Sequence, residues 1–332
     1  MSERPTPSAV HAVAGGALDS QGKRPLVVVG DVVWDVLIRT NTELLRGGDT
    51  FGEVELAPGG SAANAAVWAR RCGLPTAFVG KVGRDRFGAL AEAGLAEEQV
   101  EACLVRTDAH LTGTVAVWID HDGQRSMVSG KGADHMLLPQ ELPADLIASA
   151  RHVHLSAWSF FDDPPRSAAR RAGALAKAAG ATLSLDPGSF QMIDAMGVDA
   201  FFAATADLGV DVVFPNYDEG RSLTGLEDPR AIADALAPRY EGAIVALKLD
   251  EDGALVRDRD GRVTEVPPES NRLVDATGAG DAFAGAFLSR WLRDPDPAAA
   301  ARFAVRVSEW VIEQIGARAA VDERLREVLA EG

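Results

Sequence analysis

Short apolar runs recur along most of the chain, separated by stretches in which apolar positions follow a helical spacing. The run at residues 26–29 is almost entirely β-branched, as is typical of a strand buried in a parallel sheet. Further runs of this kind lie at residues 75–79, 153–155, 182–186, 212–214 and 244–249. The stretch 166–179 predicts one of the intervening helices, closed by Gly180. This alternation predicts an α/β fold with a mostly parallel sheet covered on both faces, and ligands at the carboxyl ends of its strands.

A second pattern, alternation of apolar and polar residues, predicts strands with one wet face. It occupies residues 31–40, 52–57, 114–120 and 125–129. Asp122-Gly123 between the last two segments is a strong hairpin signal. The four segments therefore predict a small antiparallel sheet that stands off the main body, where it would cover a site or join subunits.

The composition fits one large globular domain. The chain has 332 residues, of which 47% are hydrophobic and 25% charged, and it contains no internal repeat. Residues 1–24 are rich in Ala, Gly, Ser and Pro and predict a disordered tail. We expect the domain to span residues 25–332, with the strands of the small sheet at about 31–57 and 112–130.

The charge balance restricts the partners. The 33 basic and 49 acidic residues give a net charge of −16, which opposes binding to nucleic acid and to anionic membranes. An uninterrupted apolar run of ~18 residues, as a membrane span requires, is missing from the sequence. Cys72 and Cys103 are the only cysteines, which fits a reducing compartment and predicts a cytoplasmic location.

The stretch 274–283 is a polar, glycine-rich turn that ends in Asp281. Phe283, Phe287 and Trp291 then recur every four residues and predict a helix over 282–292. Backbone N–H groups at a helix N-terminus attract an anion, but the carboxylate of Asp281 would repel one. An aspartate here therefore indicates a base that takes a proton from a hydroxyl while the N–H groups neutralise a phosphoryl group. The alternative is an ordinary Asp N-cap.

Other polar clusters follow predicted strands or open helices. Asp35 lies after the first strand and could accept hydrogen bonds from a polyhydroxylated ligand, although an exposed residue is the alternative. Gly59 and Gly60 indicate close backbone approach, and the Asn64 amide both donates and accepts, which suits vicinal hydroxyls. A plain helix start is the competing interpretation of this cluster.

Asn216 and Glu219 come after the strand at 212–214 and lie three residues apart on one helical face. They could hold a hydrated Mg²⁺ and a phosphate oxygen, or form an N-terminal cap with a matching acid. The sequence contains neither a Walker A loop nor a GxGxxG dinucleotide fingerprint. If the protein uses ATP, it does not bind it as a P-loop protein does.

Taken in order, these clusters resemble the ribokinase-like (PfkB) family of carbohydrate and nucleoside kinases, from about residue 26 to 317. Residues 58–66 with 80–88 resemble one family signature, and residues 275–283 resemble the other. The resemblance implies a three-layer α/β/α sandwich with a β-sheet lid. It also implies transfer of the γ-phosphoryl group of ATP to a substrate hydroxyl with Mg²⁺, and a homodimer formed through the lid.

The resemblance also implies roles for individual residues. Asp281 would be the general base, with the backbone of Gly278, Ala279 and Gly280 as the anion hole. The substrate hydroxyls would be held by Asp35, Gly59, Gly60, Asn64 and Asp281. The nucleotide would contact Asn216, Lys248, Gly253, Thr277, Gly278 and Gly280. Glu219 and Asn216 would hold Mg²⁺ through water, and Asp275 with Thr277 resembles the neighbourhood of a monovalent-cation site for K⁺.

Departures from the family pattern concern the acceptor rather than the base. Val33 stands where ribokinases tend to carry Asn, and Ser156 stands where they continue into Glu. We therefore expect an ATP-dependent kinase of a sugar or sugar derivative, with ribose in doubt. Three alternatives remain open. A nucleoside kinase would stack a base on Trp34 or Trp118, a sugar-phosphate kinase would use Arg125 or Lys131, and a catalytically silent sugar-binding or regulatory protein would need no base.

Overall fold

The computed structural model describes Leu18 and residues 22–119, 125–270 and 272–332. Nearly all of the predicted tail, and the predicted hairpin turn at 121–124, lie outside these residues. Within them no helix is long and apolar enough to cross a membrane. The cytoplasmic location stays a prediction.

The strands, in chain order, are β1 (Arg24–Val29), β2 (Val33–Thr40), β3 (Gly52–Gly59), β4 (Thr76–Gly83), β5 (Glu101–Thr107), β6 (Gly113–Ile119), β7 (Arg125–Gly130), β8 (Ala150–Ser156), β9 (Thr182–Asp186), β10 (Val212–Val213), β11 (Ile244–Lys248), β12 (Ala254–Arg257) and β13 (Val263–Val266). The α-helices are α1 (Ser61–Arg71), α2 (Arg86–Glu97), α3 (Ala144–Ala148), α4 (Pro165–Ala178), α5 (Phe190–Met196), α6 (Val198–Thr205), α7 (Tyr217–Thr224), α8 (Pro229–Leu236), α9 (Ala279–Trp291), α10 (Pro297–Ile312) and α11 (Glu323–Ala330).

The large sheet has nine strands in the order β13-β12-β11-β10-β9-β8-β1-β4-β5. Every neighbouring pair from β11 to β5 is parallel, whereas the β11–β12 and β12–β13 pairs are antiparallel. The prediction of a mostly parallel sheet is confirmed. Since parallel neighbours need crossover connections, their carboxyl ends collect at one edge, where the polar residues of the sequence accumulate.

Both faces of this sheet are covered. Along β1, Leu26 and Val28 pack into a core cluster with residues of α1, α9 and α10, such as Trp68. Val27 and Val29 point the other way, into a second cluster with residues of α4, α6 and α8. Because successive side chains of a strand alternate between faces, an unbroken apolar run fits this position. The molecule is thus the expected three-layer α/β/α sandwich.

The small sheet has four strands in the order β3-β2-β6-β7. Its β2–β3 and β6–β7 pairs are antiparallel hairpins, but β2 and β6 pair in parallel. The prediction of a wholly antiparallel sheet was wrong at this junction. Strands β2 and β6 each leave the carboxyl end of a parallel strand, β1 and β5, through a short connection. They therefore run in the same direction, which apolar and polar alternation does not reveal.

Residues 80–83, with glycines at both ends, continue β4 as a buried strand beside β5. The turn comes later, where Asp85 accepts hydrogen bonds from the N–H groups of Gly88 and Thr112 at 2.8 and 2.7 Å. Glycines can therefore mark close packing inside a strand as well as a turn.

Candidate active site

The turn before α9 is shaped by Gly278, which is the N-cap in a left-handed conformation with φ 77°. A Cβ atom at this position would lie 2.5 Å from the Cβ of Ala317, so only glycine fits. The helix begins at Ala279, which makes Asp281 its third residue. The N-cap interpretation of Asp281 was therefore wrong. Its side chain therefore does not cap the helix, and Ala279 N, the first N–H group of the helix, donates to the Ala276 carbonyl at 3.3 Å.

Asp281 meets α1 across the crevice. Its Oδ2 accepts a hydrogen bond from Asn64 Nδ2 at 2.8 Å. Burial raises the pKa of Asp281 to about 8, although the Asn64 bond opposes the shift and the carboxylates of Asp186 and Asp31 add to it. A carboxyl group with a pKa in this range is suited to taking up a proton near neutral pH.

Asp35 lies on β2 against the end of β3. A Cβ atom on Gly59 would lie 2.6 Å from Asp35 Oδ2, so the glycine makes room for this carboxylate. Burial raises the pKa of Asp35 to about 6, with Arg318 opposing the shift. Gly60 follows with φ 95° as the N-cap of α1. The small sheet and α1 thus present carboxylate, backbone and amide groups to one space.

Asp31 organises the start of α1 beside this space. Its Oδ2 accepts from Ser61 N at 2.7 Å and its Oδ1 from Ala62 N at 3.2 Å. These bonds satisfy two of the N–H groups that a helix N-terminus leaves without intrahelical partners. Asp31 therefore fixes α1, and with it the position of Asn64.

Asn216 and Glu219 form a capping box at the start of α7. Asn216 N donates to Glu219 Oε2 and Glu219 N donates to Asn216 Oδ1, both at 2.8 Å. The cap interpretation is confirmed. Burial raises the pKa of Glu219, which is only 2% exposed; Asp186 adds to this shift and Lys248 opposes it.

Lys248 ends β11 and its Nζ donates to Asp186 Oδ2, at the end of β9, at 2.7 Å. Burial disfavours the ammonium charge, but Asp186 and Glu219 outweigh it and raise the pKa of Lys248. A Cβ atom built on Gly280 would lie 3.1 Å from this Nζ. A cation whose side chain is 12% exposed therefore lies directly beside the N-terminal turn of α9.

A cavity of 480 Å³ opens next to Lys248. Its lining includes Asn216, Lys248, Gly253, Gly280, Phe283 and Glu309. Asp35 and Asn64 do not line it. Of the predicted nucleotide residues, Asn216, Lys248, Gly253 and Gly280 line the cavity, whereas Thr277 and Gly278 do not.

Asp275 ties together the loops on either side of this region. Its Oδ1 accepts from Thr277 N at 2.8 Å and its Oδ2 from Gly316 N at 3.0 Å. The carboxylate thereby fixes the turn before α9 to the loop after α10. The monovalent-cation site stays a prediction.

Sequence reasoning missed three charged residues. Asp186 ends a predicted strand, so its position at the carboxyl edge was available as a signal. Glu309 accepts hydrogen bonds from the N–H groups of Glu269 and Ser270 beside the cavity. Arg318 comes from the loop after α10, and its place next to Asn64 had no sequence signal.

The residues tied to the alternative acceptors are mostly engaged elsewhere. Trp34 Nε1 donates to the Phe87 carbonyl at 3.0 Å, and Trp118 Nε1 donates to Thr40 Oγ1 at 3.2 Å. Lys131 is exposed and pairs with Asp162 at 2.6 Å. The side chain of Arg125 falls outside the described part of the structure.

Comparison with known proteins agrees with this geometry. The family model "pfkB family carbohydrate kinase" matches residues 23–324. Fructokinase-1 of Oryza sativa subsp. japonica is 35% identical over 72% of this chain and 75% of its own length. The ATP-dependent ribose-1-phosphate kinase of Halopiger xanaduensis is 32% identical over 88% of this chain and 93% of its own. In fold, the crystal structure of adenosine kinase from Sinorhizobium meliloti matches with a TM-score of 0.82 and 24% identity over 93% of this chain and 99% of that one. The chain belongs to the pfkB family of carbohydrate kinases, phosphotransferases that act on a sugar hydroxyl.

Proposed function

We propose that the protein transfers the γ-phosphoryl group of ATP to a hydroxyl group of a sugar, with Asp281 as the general base. The observation that carries this proposal is the position of Asp281. Its carboxylate lies one helical turn inside the N-terminus of α9, between the cavity of 480 Å³ and the hydroxyl-binding groups of α1 and β2. A protein that only binds sugar has no need for a base beside an anion site.

In this mechanism the acceptor sugar lies against Asp35, the Gly59-Gly60 backbone and Asn64. Asp281 takes the proton of the attacking hydroxyl as the new P–O bond forms. The backbone N–H groups of Gly278, Ala279 and Gly280 would stabilise the charge of the transferred group, with help from Lys248. Ala279 N would give up its hydrogen bond to the Ala276 carbonyl, which is 3.3 Å long, to do so. Phosphoryl transfer asks a protein mainly for such positioning and charge stabilisation.

The residues fit a role for Mg²⁺. Glu219 Oε2 accepts a hydrogen bond from Asn216 N, and burial raises the pKa of the Glu219 carboxyl group. A nearby cation would stabilise the ionised carboxylate, so this position suits one. The described residues contain no cluster of three or more His, Cys, Asp or Glu side chains that could hold a metal ion. Glu219 and Asn216 would hold the hydrated ion. When bound, Mg²⁺ supplies positive charge to the phosphate oxygens.

Two relatives direct the choice of nucleotide and acceptor. One is named a fructokinase and the other an ATP-dependent ribose-1-phosphate kinase. Fructose-like ketoses are therefore the first acceptors to test. A sugar phosphate is a second candidate, because the Arg318 guanidinium adds a cation to an otherwise acidic acceptor site. Stacking of a nucleoside on Trp34 has less support, since its ring packs on Phe87 at 6.0 Å.

The test is a coupled ADP-release assay with ATP and Mg²⁺ over ketoses, aldoses, keto-deoxy acids, sugar phosphates and nucleosides. We expect ADP release to depend on one sugar or sugar phosphate and to rise at least ~10²-fold over the acceptor-free rate. Release without such dependence, together with a sugar that raises Tm, would favour a silent binder instead.

The proposal includes two further expectations. K⁺ near Asp275 and Thr277 would raise activity, and replacing KCl by choline chloride tests this directly. The small sheet would act as a lid and as a dimer interface. In support of the interface, Val54, Leu56, Met127 and Val128 lie exposed on its strands, where a second copy could cover them. Light scattering that gives a monomer at every concentration would reject the dimer.

A further inference from the structure

A guanidinium group approaches the proposed base from an unexpected part of the chain. Arg318 lies in the loop after α10, and its Nε donates to Asn64 Oδ1 at 2.7 Å. Its Nη2 also donates to the Gly59 carbonyl at 3.3 Å. The loop after α10 is thereby joined to both acceptor-side segments, the end of β3 and the start of α1.

The contact decides which way the Asn64 amide faces. An amide has an accepting oxygen and a donating nitrogen of nearly equal size, whereas a guanidinium can only donate. Arg318 therefore requires the oxygen of Asn64 on its own side. The Asn64 NH₂ group must then face Asp281, where Nδ2 donates to Oδ2 at 2.8 Å.

This orientation matters for the base. With the amide reversed, Asn64 Oδ1 would face the carboxylate of Asp281, so that two acceptors would oppose each other. In the observed orientation the N–H group occupies Oδ2, and no described residue donates to Oδ1 of Asp281, which is left for the acceptor hydroxyl. The hydrogen bond from a charged donor also makes the Arg318–Asn64 contact stronger than one between neutral groups.

The charge of Arg318 is not neutralised by a close partner. Among the described residues no carboxylate comes within 4 Å of its guanidinium nitrogens, although burial lowers the pKa of Arg318 only to about 10 and the group stays cationic at neutral pH. Several charged groups surround the pair at longer range. Arg318 is faced by Arg71, Glu98, Asp35 and Asp281, and Asp281 is faced by Asp31, Asp186 and Lys248.

We propose that Arg318 is a positioning residue that orients the Asn64 amide, so that Asp281 keeps one oxygen hydrogen-bonded and the other directed to the acceptor. This inference rests on the proposed function for its kinetic consequences but not for the geometry itself. Arg318 acts through Asn64, so its loss should have little effect once Asn64 is gone.

A double-mutant cycle tests this dependence. We expect Arg318→Met and Asn64→Ala each to lower kcat at least ~10-fold, with the double variant within ~3-fold of Asn64→Ala alone. Arg318→Lys should restore part of the loss, because an ammonium can still donate to the Asn64 oxygen. If the two losses multiply in the double variant, Arg318 does not act through Asn64 and the proposal fails.

A matched control separates orientation from loop stability. Arg71 holds the same loop through the carbonyls of Ala319 at 2.8 Å and of Arg318 itself at 3.3 Å, and it pairs with Glu98. It makes no hydrogen bond to Asn64 and does not touch the Arg318 guanidinium. We expect Arg71→Met to lower Tm while kcat stays within ~2-fold of wild type. A loss in Arg71→Met equal to that in Arg318→Met would assign Arg318 a merely structural role.

Two pH-dependent readouts follow, of which the thermal one needs no turnover. Loss of the N–H bond raises the pKa of Asp281, so Arg318→Met should move the acid limb of kcat upward by about one pH unit. The thermal readout is the Tm difference between Asp281→Asn and its parent, measured against pH in the wild-type and in the Arg318→Met background. The pH at which this difference levels off should be higher by the same amount in the Arg318→Met background. If the wild type shows no acceptor-dependent activity, the kinase proposal fails, but the thermal comparison still tests the role of Arg318. If that Tm comparison is unchanged by Arg318→Met, the proposed role of Arg318 is overturned.

Discussion

The substitution Asp281→Asn isolates the proton-accepting role of this side chain. Asparagine has nearly the same shape, and its amide oxygen can still accept the hydrogen bond that Asn64 donates to Oδ2 at 2.8 Å. It cannot take a proton from the acceptor. Loss of a positioned base typically costs 10²–10⁴-fold in rate, so we expect kcat to fall at least ~10²-fold, or about 2.7 kcal/mol in the barrier.

Nucleotide binding should survive this change. Lys248, Gly253 and Glu309 line the cavity of 480 Å³ and are untouched by the substitution. Removal of a carboxylate next to the phosphate position reduces repulsion, so the Kd for ATP should be unchanged or lower. Titration calorimetry with ATP and Mg²⁺ on the variant, beside steady-state kinetics, measures both quantities on one preparation.

Asp228→Asn is the matched control. Asp228 is the N-cap of α8 and accepts from Ala231 N at 2.8 Å, and asparagine caps a helix about as well. Its kcat should equal that of wild type. A kcat for Asp281→Asn within ~3-fold of wild type would refute the assignment of the base. A large loss of ATP binding in that variant would instead point to a role in holding the nucleotide.

Four further predictions follow from the same geometry. Since burial raises the pKa of Asp281 to about 8 and the base must be ionised, kcat/KM should rise with pH through about 8; a flat profile from pH 6 to 9 would contradict this. The raised pKa also means that stability is lost as pH rises from about 4 towards 8, so Asp281→Asn should exceed wild type in Tm by at least ~2 °C at pH 8 and by less at pH 5 in calorimetric scans. Gly278→Ala should lower Tm more than Gly180→Ala does, and should lower kcat at least ~10-fold, because both glycines have positive φ but only Gly278 would meet Ala317. Lys248→Gln should lower kcat/KM for ATP at least ~10-fold in steady-state kinetics. An unchanged kcat/KM would show that Lys248 does not stabilise the transferred phosphoryl group.

Much of the fold could be predicted because the apolar pattern is simple. Unbroken runs such as β1 are what a strand buried on both faces requires, and glycines such as Gly180 end the helices where the left-handed conformation is needed. The pairing of β2 with β6 could not be predicted, because alternation fixes which face of a strand is wet and not which partner it takes.

Part of the candidate site could likewise be predicted from the sequence, and part of it could not. Asp281 and Asn64 stand in the first turns of helices, and Asp35 stands near the start of β2, shortly after β1. Ligands of an α/β fold bind at this edge of the sheet, so polar residues there could be assigned to a site from the sequence. The capping box of Asn216 and Glu219 was visible as a spacing, but the ion pair that faces it depends on β9 and β11 meeting in space. The position of Arg318 is the part of the site that could least be predicted from the sequence. Its partner lies in α1, at the other end of the chain, and the packing of α10 against α9, with the hydrogen bonds from Trp68 and Arg71, brings its loop there.

The most direct test of the central claim is ³¹P NMR of the complete reaction with the acceptor found in the ADP screen. We predict that the γ-phosphate signal of ATP is replaced by one phosphoester signal that splits on a sugar proton, in a 1:1 ratio to ADP, and that Asp281→Asn gives neither signal on the same time scale. Formation of inorganic phosphate without a phosphoester, or equal phosphoester formation by Asp281→Asn, would contradict the account.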